Sequence, residues 1–279
     1  MRIGVVLPTE ADPDERTRAA AIADDVGLDM VVIESSEEAD ALLTVSSLAD
    51  TVRWARLVAV VPVGMHPVHL AERIGVADQV LGGRLTVVLR SSGDRDELSE
   101  TLEVLDKALA ARPFRHRGAR WRVPADLPEN GDANWQQVRV TPAPVQPLVP
   151  IWLSGEGAGD VAAEFALSYL PPEDVDAGRL ASWWAAVDQR WGPAAARLSR
   201  PLLAPPLEEG SPPDVGEQAE HVLQQQAAWG MDSALLRWNV GVPEAAARLR
   251  ATVQIGALPP GLQSFWDETV SAAGRQDDW

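Results

Sequence analysis

Residues 57–91 read LVAVVPVGMHPVHLAERIGVADQVLGGRLTVVLRS, and this stretch decides the fold. It begins and ends with apolar, β-branched runs, which are typical of strands that are buried on both faces of a parallel sheet. Pro67 stands at the first position of the intervening helix, where its fixed φ suits the helix and its missing N–H would be unpaired anyway. Gly82 and Gly83 end that helix, because glycine adopts the left-handed conformation that closes a helix. The stretch therefore predicts a complete βαβ unit, which is right-handed in nearly all proteins.

The same alternation extends along the rest of the chain. Apolar runs predict eight strands, at residues 3–7, 30–34, 57–63, 85–89, 151–154, 168–170, 202–204 and 233–238. Periodic apolar stripes predict helices between them, including one from Ala39 to Trp54. Eight strands alternating with helices indicate an α/β fold, the (β/α)8 TIM barrel. We expect a single domain over residues 1–279, with an extended surface insertion at about 113–149 and a somewhat shortened second half.

Composition narrows the partners and the chemistry. The formal net charge of -17 disfavours nucleic acid and anionic membrane surfaces and favours small-molecule ligands. The sequence has no cysteine, which excludes disulfides, thiolate chemistry and cysteine metal sites. His66 and His69 lack a third ligand nearby, so we expect no metal site. The first residues lack the apolar core of a signal peptide and no run is long enough for a membrane helix, so we expect a cytoplasmic protein.

Polar residues follow several predicted strands, at the carboxyl-terminal mouth where TIM-barrel enzymes place their active sites. Ser154, Gly155 and Gly157 lie in a glycine-rich turn between a strand and a helix. The backbone N–H groups of such a turn form an anion site, although an ordinary strand-to-helix turn is the alternative. His66 is a candidate general acid or base because the pKa of histidine lies near neutrality; alternatively, it only begins the helix. Trp238, after the eighth strand, is a candidate wall of an apolar pocket.

Several motifs together resemble a known family. They are HPVHLAE at residues 66–72, DQ at 78–79, GGRL at 82–85, PAPVQP at 142–147 and PIW at 150–152, preceded by the opening RIGVVLP at 2–8. Their order and spacing are similar to those of the bacterial luciferase-like monooxygenases, a family of flavin- or deazaflavin-dependent oxidoreductases. The resemblance covers residues 1–167 and is weaker beyond them.

The resemblance implies a flavin across the mouth of the barrel. It implies reduced FMN supplied by a flavin reductase, with coenzyme F420 as the alternative cofactor, and oxidation of a small organic substrate such as those of secondary metabolism. It also implies a homodimer. By the same resemblance, Ser154, Gly155 and Gly157 hold the cofactor phosphate together with Arg90, which ends the fourth strand; the other interpretation of Arg90 is a salt bridge at the rim. Trp238 would then stack on the flavin ring.

The residues after the second strand depart from the family. Glu34 is a candidate catalytic base, but Ser35 and Ser36 follow it where the family often has a histidine. This difference leaves three hypotheses open, namely an FMN-dependent monooxygenase, a hydride-transfer enzyme that uses F420, and a non-catalytic flavin- or ligand-binding barrel. A fourth is a barrel that works without a flavin, with Glu156 filling the phosphate site.

Overall fold

The stretch that decides the fold forms the predicted βαβ unit. The computed structural model describes residues 2–7, 11–36, 40–125, 136–172, 175–203 and 230–237. In it, strand β3 (Arg56–Pro62) leads into helix α3 (Pro67–Val80) and then into strand β4 (Leu85–Ser92). Proline occupies the first turn of α3, and the helix ends just before the double glycine, as the sequence predicts.

The remaining described elements follow the same alternation. In chain order they are β1 (Arg2–Val6), α1 (Pro13–Asp25), β2 (Met30–Glu34), α2 (Ala41–Ser47), α4 (Arg95–Leu109), β5 (His116–Arg117), β6 (Arg122–Val123), β7 (Ile151–Glu156), α5 (Ala158–Phe165), β8 (Ser168–Tyr169), α6 (Ala177–Trp191), a 3-10 helix (Gly192–Arg197), β9 (Pro201–Leu203) and β10 (Ser233–Arg237). No helix within the described residues is both long and apolar enough to cross a membrane.

Eight strands form one parallel sheet, in the order β8-β7-β4-β3-β2-β1-β10-β9. This is the order of a nearly closed (β/α)8 barrel, which confirms the predicted fold. Two of the described strands are short, since β8 has two residues and β9 has three, and the shortened second half stays a prediction. In the described part of the chain no strand ladder joins β8 to β9, and the backbone N–H of Ser199 instead donates to the hydroxyl of Ser168 at 2.9 Å.

Apolar side chains are buried on both faces of the sheet. The cluster inside the barrel, which we call the inner cluster, consists of Val6, Met30, Val32, Val58, Val60, Val88, Trp152, Leu170, Leu203 and Leu235. A second, larger cluster packs the strands against the helices. The two clusters alternate along each strand, because successive side chains point to opposite faces: Val88 faces the interior, whereas Val87 and Leu89 face the helices.

Helix α2 is shorter than the sequence predicts. It ends at Ser47, whereas the apolar pattern predicted a helix as far as Trp54. The carboxylate of Asp24 accepts hydrogen bonds from the three backbone N–H groups of residues 53–55 at 2.7–2.9 Å. The guanidinium of Arg84 donates to two backbone carbonyls of the same segment at 2.6 and 3.1 Å. The prediction was wrong because these distant side chains satisfy backbone groups that a longer helix would otherwise pair.

The segment predicted as a surface insertion begins with a hairpin of β5 and β6. Its turn is at Gly118, as predicted, and the N–H of Gly118 donates to the carbonyl of Trp121 at 3.0 Å. Glu100 of α4 holds the hairpin by accepting from the N–H groups of Arg120 and Trp121 at 2.9 and 2.6 Å and by contacting His116 Nε2 at 3.1 Å. Burial alone would raise the pKa of Glu100, but these hydrogen bonds hold it below its ordinary value. The single-domain assignment stays a prediction.

The end of the same segment is hydrogen-bonded to the amino-terminal end of the barrel. Gln146 donates from its backbone N–H and its side-chain amide to the fully buried carboxylate of Asp78 at 2.9 and 2.7 Å. It accepts from Arg56 Nη2 at 2.8 Å, and Arg56 also donates to the carbonyl of Leu85 at 2.6 Å and to the hydroxyl of Thr86 at 3.2 Å. The PAPVQP motif therefore has a structural role, since its glutamine joins α3 to the beginnings of β3 and β4.

Candidate functional site

Glu34 and Arg90 form an ion pair at the carboxyl-terminal mouth of the barrel. Each lies two residues beyond a member of the inner cluster, Val32 and Val88, so both face the interior. Arg90 Nη2 lies 2.7 Å from Glu34 Oε1, across the end of the intervening strand β3. The side chain of Arg90 is 44% exposed and that of Glu34 is 21% exposed. The structure thus shows the rim salt bridge, and because a guanidinium has five N–H donors, Arg90 can bind an anion at the same time.

Ser154 places an unpartnered hydroxyl beside Arg90. The two residues are paired in register on the neighbouring strands β7 and β4. Ser154 is 8% exposed, and its Oγ is buried without a hydrogen-bond partner among the described residues. An unpaired buried polar group costs about 1–3 kcal/mol. Buried hydroxyls in native proteins are nearly always paired, so a ligand or water bound in the mouth is the simplest explanation of this one.

Gly155 and Gly157 shape the turn that follows Ser154. Gly155 has a φ of 89°, and a Cβ at this position would collide with the carbonyl oxygen of Ser91. Gly157 has a φ of 69° and is the N-cap residue of α5, where it offers no side chain to the N–H groups of the first turn. N–H groups left uncapped at a helix N-terminus bind anions. The structure therefore brings the predicted serine and both glycines together around one possible anion site.

Two carboxylates lie near this turn. Glu156 is exposed, and its Oε2 would be only 3.2 Å from a Cβ on Gly93, so its carboxylate lies against the turn between β4 and α4. Asp160 is exposed in the first turn of α5. The hypothesis of a flavin-free barrel, in which Glu156 fills the phosphate site, gains no support from this position of the carboxylate.

His66 is the N-cap residue of α3. Its Nδ1 accepts a hydrogen bond from the N–H of Val68 at 3.2 Å, and its ring packs edge-to-face on Trp121 with 4.9 Å between the ring centroids. Burial, reinforced by the nearby His69, lowers the pKa of His66. A neutral imidazole is required here because a protonated ring has no acceptor. These contacts support the interpretation that His66 begins the helix, and its acid–base role stays a prediction.

Ser35, at the position where the family often has a histidine, also begins a helix. Its Oγ accepts from the N–H of Ala41 at 3.1 Å, in the first turn of α2. The carboxylate of Asp40 accepts from the N–H of Leu43 in the same turn, also at 3.1 Å. The serine therefore serves the backbone of α2, and nothing in its contacts replaces an imidazole.

Glu34 and Arg90 are both candidate site residues from the sequence, but the sequence did not predict that they form an ion pair. The available signal was strand alternation, since counting by two from Val32 and Val88 places Glu34 and Arg90 on the interior face. Trp238 lies outside the described residues, and its predicted role stays a prediction.

Comparisons with known proteins identify the family and the fold of the chain. The sequence profile of luciferase-like monooxygenases matches residues 1–207. The monooxygenase RslO1 from Streptomyces bottropensis is 17% identical, with a TM-score of 0.71 over 91% of this chain and 98% of that one. The oxygenating constituent of 3,6-diketocamphane monooxygenase from Pseudomonas putida, in complex with FMN, is 15% identical, with a TM-score of 0.62 over 92% of this chain and 97% of that one. The coenzyme F420-dependent tetrahydromethanopterin reductase from Methanopyrus kandleri is 13% identical, with a TM-score of 0.67 over 90% and 97%. The structural similarities show a shared fold, and the match over residues 1–207 shows that the chain belongs to the luciferase-like monooxygenase family.

Proposed function

We propose that the chain is an FMN-dependent monooxygenase that oxidises a small organic substrate at the carboxyl-terminal mouth. The observation that carries the proposal is the buried hydroxyl of Ser154, which has no partner among the described residues, lies beside Arg90 and precedes the turn that leads into the uncapped N-terminus of α5. A hydroxyl, a guanidinium and backbone N–H groups are the donors that suit a phosphate. The family of the chain and the FMN complex of a protein that shares its fold support this choice of cofactor.

Each residue of the mouth has a role in this proposal. Ser154 Oγ and the first-turn N–H groups of α5 hold the cofactor phosphate, and Arg90 neutralises its charge. Glu34 keeps the guanidinium of Arg90 directed across the mouth through their 2.7 Å contact. The bound flavin supplies the redox chemistry, whereas the chain supplies binding, orientation and a pocket from which water is excluded.

A titration of the purified chain with FMN and with riboflavin, which lacks the phosphate, tests the proposal. We expect FMN to bind at least about tenfold more tightly, which corresponds to about 1.4 kcal/mol. We also expect the chain to consume oxygen when reduced FMN and a substrate are present. Equal affinity for the two flavins would contradict the phosphate site, and failure to bind either would contradict a flavoprotein.

Hydride transfer with coenzyme F420 is a second candidate function. Ser35 favours it, because the side chain at this position is engaged with α2 and supplies no imidazole for chemistry with oxygen. The fold shared with an F420-dependent reductase is compatible with this candidate. A competition titration decides between the two, since an F420 dissociation constant below that of FMN, without oxygen consumption, would favour hydride transfer.

We further propose a cytoplasmic homodimer that receives reduced flavin from a flavin reductase. Apolar side chains on the adjacent helices α2 and α3 support the dimer, since Leu43 is 65% exposed, Val76 49% and Val80 51%. Analytical ultracentrifugation of the wild type and of Val76→Glu tests this point. We expect a dimer that the charged variant converts to a monomer, whereas a monomeric wild type would contradict the proposal.

A further inference from the structure

A cavity of about 980 Å³ opens at the amino-terminal end of the barrel, opposite the mouth. The beginnings of six strands line its floor, through Arg2, Met30, Arg56, Thr86, Trp152 and Ser168. Its sides come from the end of α4 and from residues 144–150 and 194–199. Small-molecule pockets range over about 300–1,000 Å³, so this cavity has room for an organic ligand of considerable size.

The inner cluster separates this cavity from the mouth. Val58, Val60 and Val88 are each at most 2% exposed and fill the barrel between Arg56 at one end and Arg90 at the other. A ligand in the cavity therefore contacts none of the residues that we assign to the cofactor phosphate. The inference drawn from the cavity goes beyond the proposed function and does not depend on it.

The cavity is cationic, although the chain as a whole carries a net charge of -17. Its charged lining side chains are Arg2, Arg56, Lys107 and Arg197 against Glu103 and Asp106. Arg2 is paired with Asp232 at 3.0 Å. Among the described residues Arg56 donates only to uncharged oxygen atoms, those of Leu85, Thr86 and Gln146. Arg56 is thus a half-buried cation with no carboxylate among its hydrogen-bond partners, although the buried carboxylate of Asp78 acts on it from behind Gln146.

Apolar side chains line the same cavity. Met30 and Trp152 are members of the inner cluster that reach the floor, and Leu198 and Phe165 contribute to the sides. Burial, and then the nearby Arg2, lowers the pKa of Arg56, while the carboxylate of Asp78 opposes this shift. An anion placed in the cavity would add a second opposite charge on the side of Arg56 that faces the cavity.

We propose that the amino-terminal cavity binds a small amphipathic organic anion, with one carboxylate or sulfonate group directed towards Arg56 and an apolar body against Met30, Trp152 and Leu198. The lining matches this class of ligand in both its parts. A neutral apolar molecule would leave the excess of cationic side chains in the lining without an anion, and a small inorganic anion would leave the apolar walls without contact.

Two fluorescent probes that differ by one charged group test the proposal. The charged probe is 1-anilinonaphthalene-8-sulfonate, and N-phenyl-1-naphthylamine is its uncharged counterpart. We expect the sulfonate to bind the wild type at least about tenfold more tightly than the uncharged probe. Arg56→Met should abolish this preference, whereas Arg56→Lys, which retains the charge, should keep part of it. Equal affinity of the wild type for the two probes would overturn the proposal.

A second variant keeps the test valid if Arg56→Met does not fold, since Arg56 also holds Gln146. Arg197 is exposed at the rim of the cavity, and Arg197→Gln should weaken the sulfonate probe about two- to fivefold while leaving the uncharged probe unchanged. Saturating FMN should not displace the sulfonate probe. Displacement by FMN, or an unchanged sulfonate affinity in both folded variants, would place the probe elsewhere and overturn the proposal.

Because the probes are titrated in the absence of flavin, this readout is independent of the proposed FMN site. Failure of FMN to bind would contradict the proposed function. The preference for the sulfonate probe would still test the amino-terminal site in that case. Conversely, a chain that binds FMN but shows no sulfonate preference would retain the proposed function and lose the amino-terminal site.

Discussion

The two ends of the barrel offer a ligand different kinds of contact, although the strands β2, β4 and β7 contribute residues to both. The carboxyl-terminal mouth provides hydrogen-bond donors without partners, in Ser154 and the uncapped N-terminus of α5, beside the ion pair of Arg90 and Glu34. The amino-terminal end provides a cavity of about 980 Å³ with apolar walls and a half-buried arginine. The two ends are therefore characterised by different observations, unpartnered donors at the mouth and a cavity at the amino-terminal end.

We assign the reaction to the mouth because TIM-barrel enzymes carry their active sites at the carboxyl ends of the strands. The comparison teaches that the size of a cavity and the chemistry of a site are separate observations, and each end needs its own experiment.

Removing the hydrogen bonds between Asp78 and Gln146 at the amino-terminal end should have the largest effect. Asp78→Ala leaves two donors of Gln146 without their buried acceptor, so we expect the free energy of unfolding to fall by about 2–4 kcal/mol. Urea denaturation measures this change. Asp106→Ala, an exposed acidic residue beside the same cavity, is the matched control and should change stability by at most about 0.5 kcal/mol. Similar losses of unfolding free energy in the two variants would show that the hydrogen bonds between Asp78 and Gln146 do not stabilise the barrel.

Neutralising Arg90 at the mouth should have the next largest effect, which we expect on FMN binding and not on stability. Arg90→Gln removes a charged hydrogen bond worth about 1.5–3 kcal/mol, so the dissociation constant for FMN should rise about ten- to hundredfold. Arg95→Gln is the control, because Arg95 is an exposed arginine of the neighbouring helix that pairs with Glu164. If both variants bind FMN as the wild type does, Arg90 does not hold the phosphate.

Ser154→Ala should produce a smaller change with a distinctive sign. Loss of one uncharged hydrogen bond, worth about 1 kcal/mol, should weaken FMN binding about fivefold. Without FMN, the variant should be as stable as the wild type or more stable, because it no longer buries an unpaired hydroxyl. A less stable apoprotein with unchanged FMN affinity would assign Ser154 a purely structural role.

The smallest effect concerns pH. The pKa of His66 is lowered in the folded chain by burial and then by His69, whereas an unfolded histidine has a pKa of about 6.5. The stability that neutral His66 contributes is therefore present above about pH 6.5 and is lost as the pH falls through its folded value. His66→Asn retains an N-cap acceptor that does not titrate. The urea midpoint should therefore decrease slightly more between about pH 8 and about pH 5 in the wild type than in the variant. An equal decrease would mean that His66 is not held neutral.

Much of the fold follows from local sequence patterns. The run of β-branched residues at 57–61, Pro67 and the double glycine at 82–83 predict β3 and α3 within a few residues, because each signal acts on its own neighbours. Local patterns do not predict the end of helix α2, since it depends on Asp24 and Arg84, which are distant in sequence.

The candidate site is predictable only in part for the same reason. Ser154, Gly155 and Gly157 form a continuous motif, and the structure places them as one turn. The contact between Glu34 and Arg90 joins strands that are not neighbours, so it requires the register and curvature of the nearly closed sheet. The amino-terminal cavity depends on several strands and loops that meet at one end, and no local pattern encodes its volume.

A crystal structure of the chain with FMN tests the central claim most directly, because it shows which end of the barrel holds the phosphate. Our account predicts phosphate oxygens within about 3 Å of Ser154 Oγ and of the Arg90 guanidinium, at the N-terminus of α5. Flavin bound in the amino-terminal cavity, or a phosphate away from Ser154 and Arg90, would contradict it.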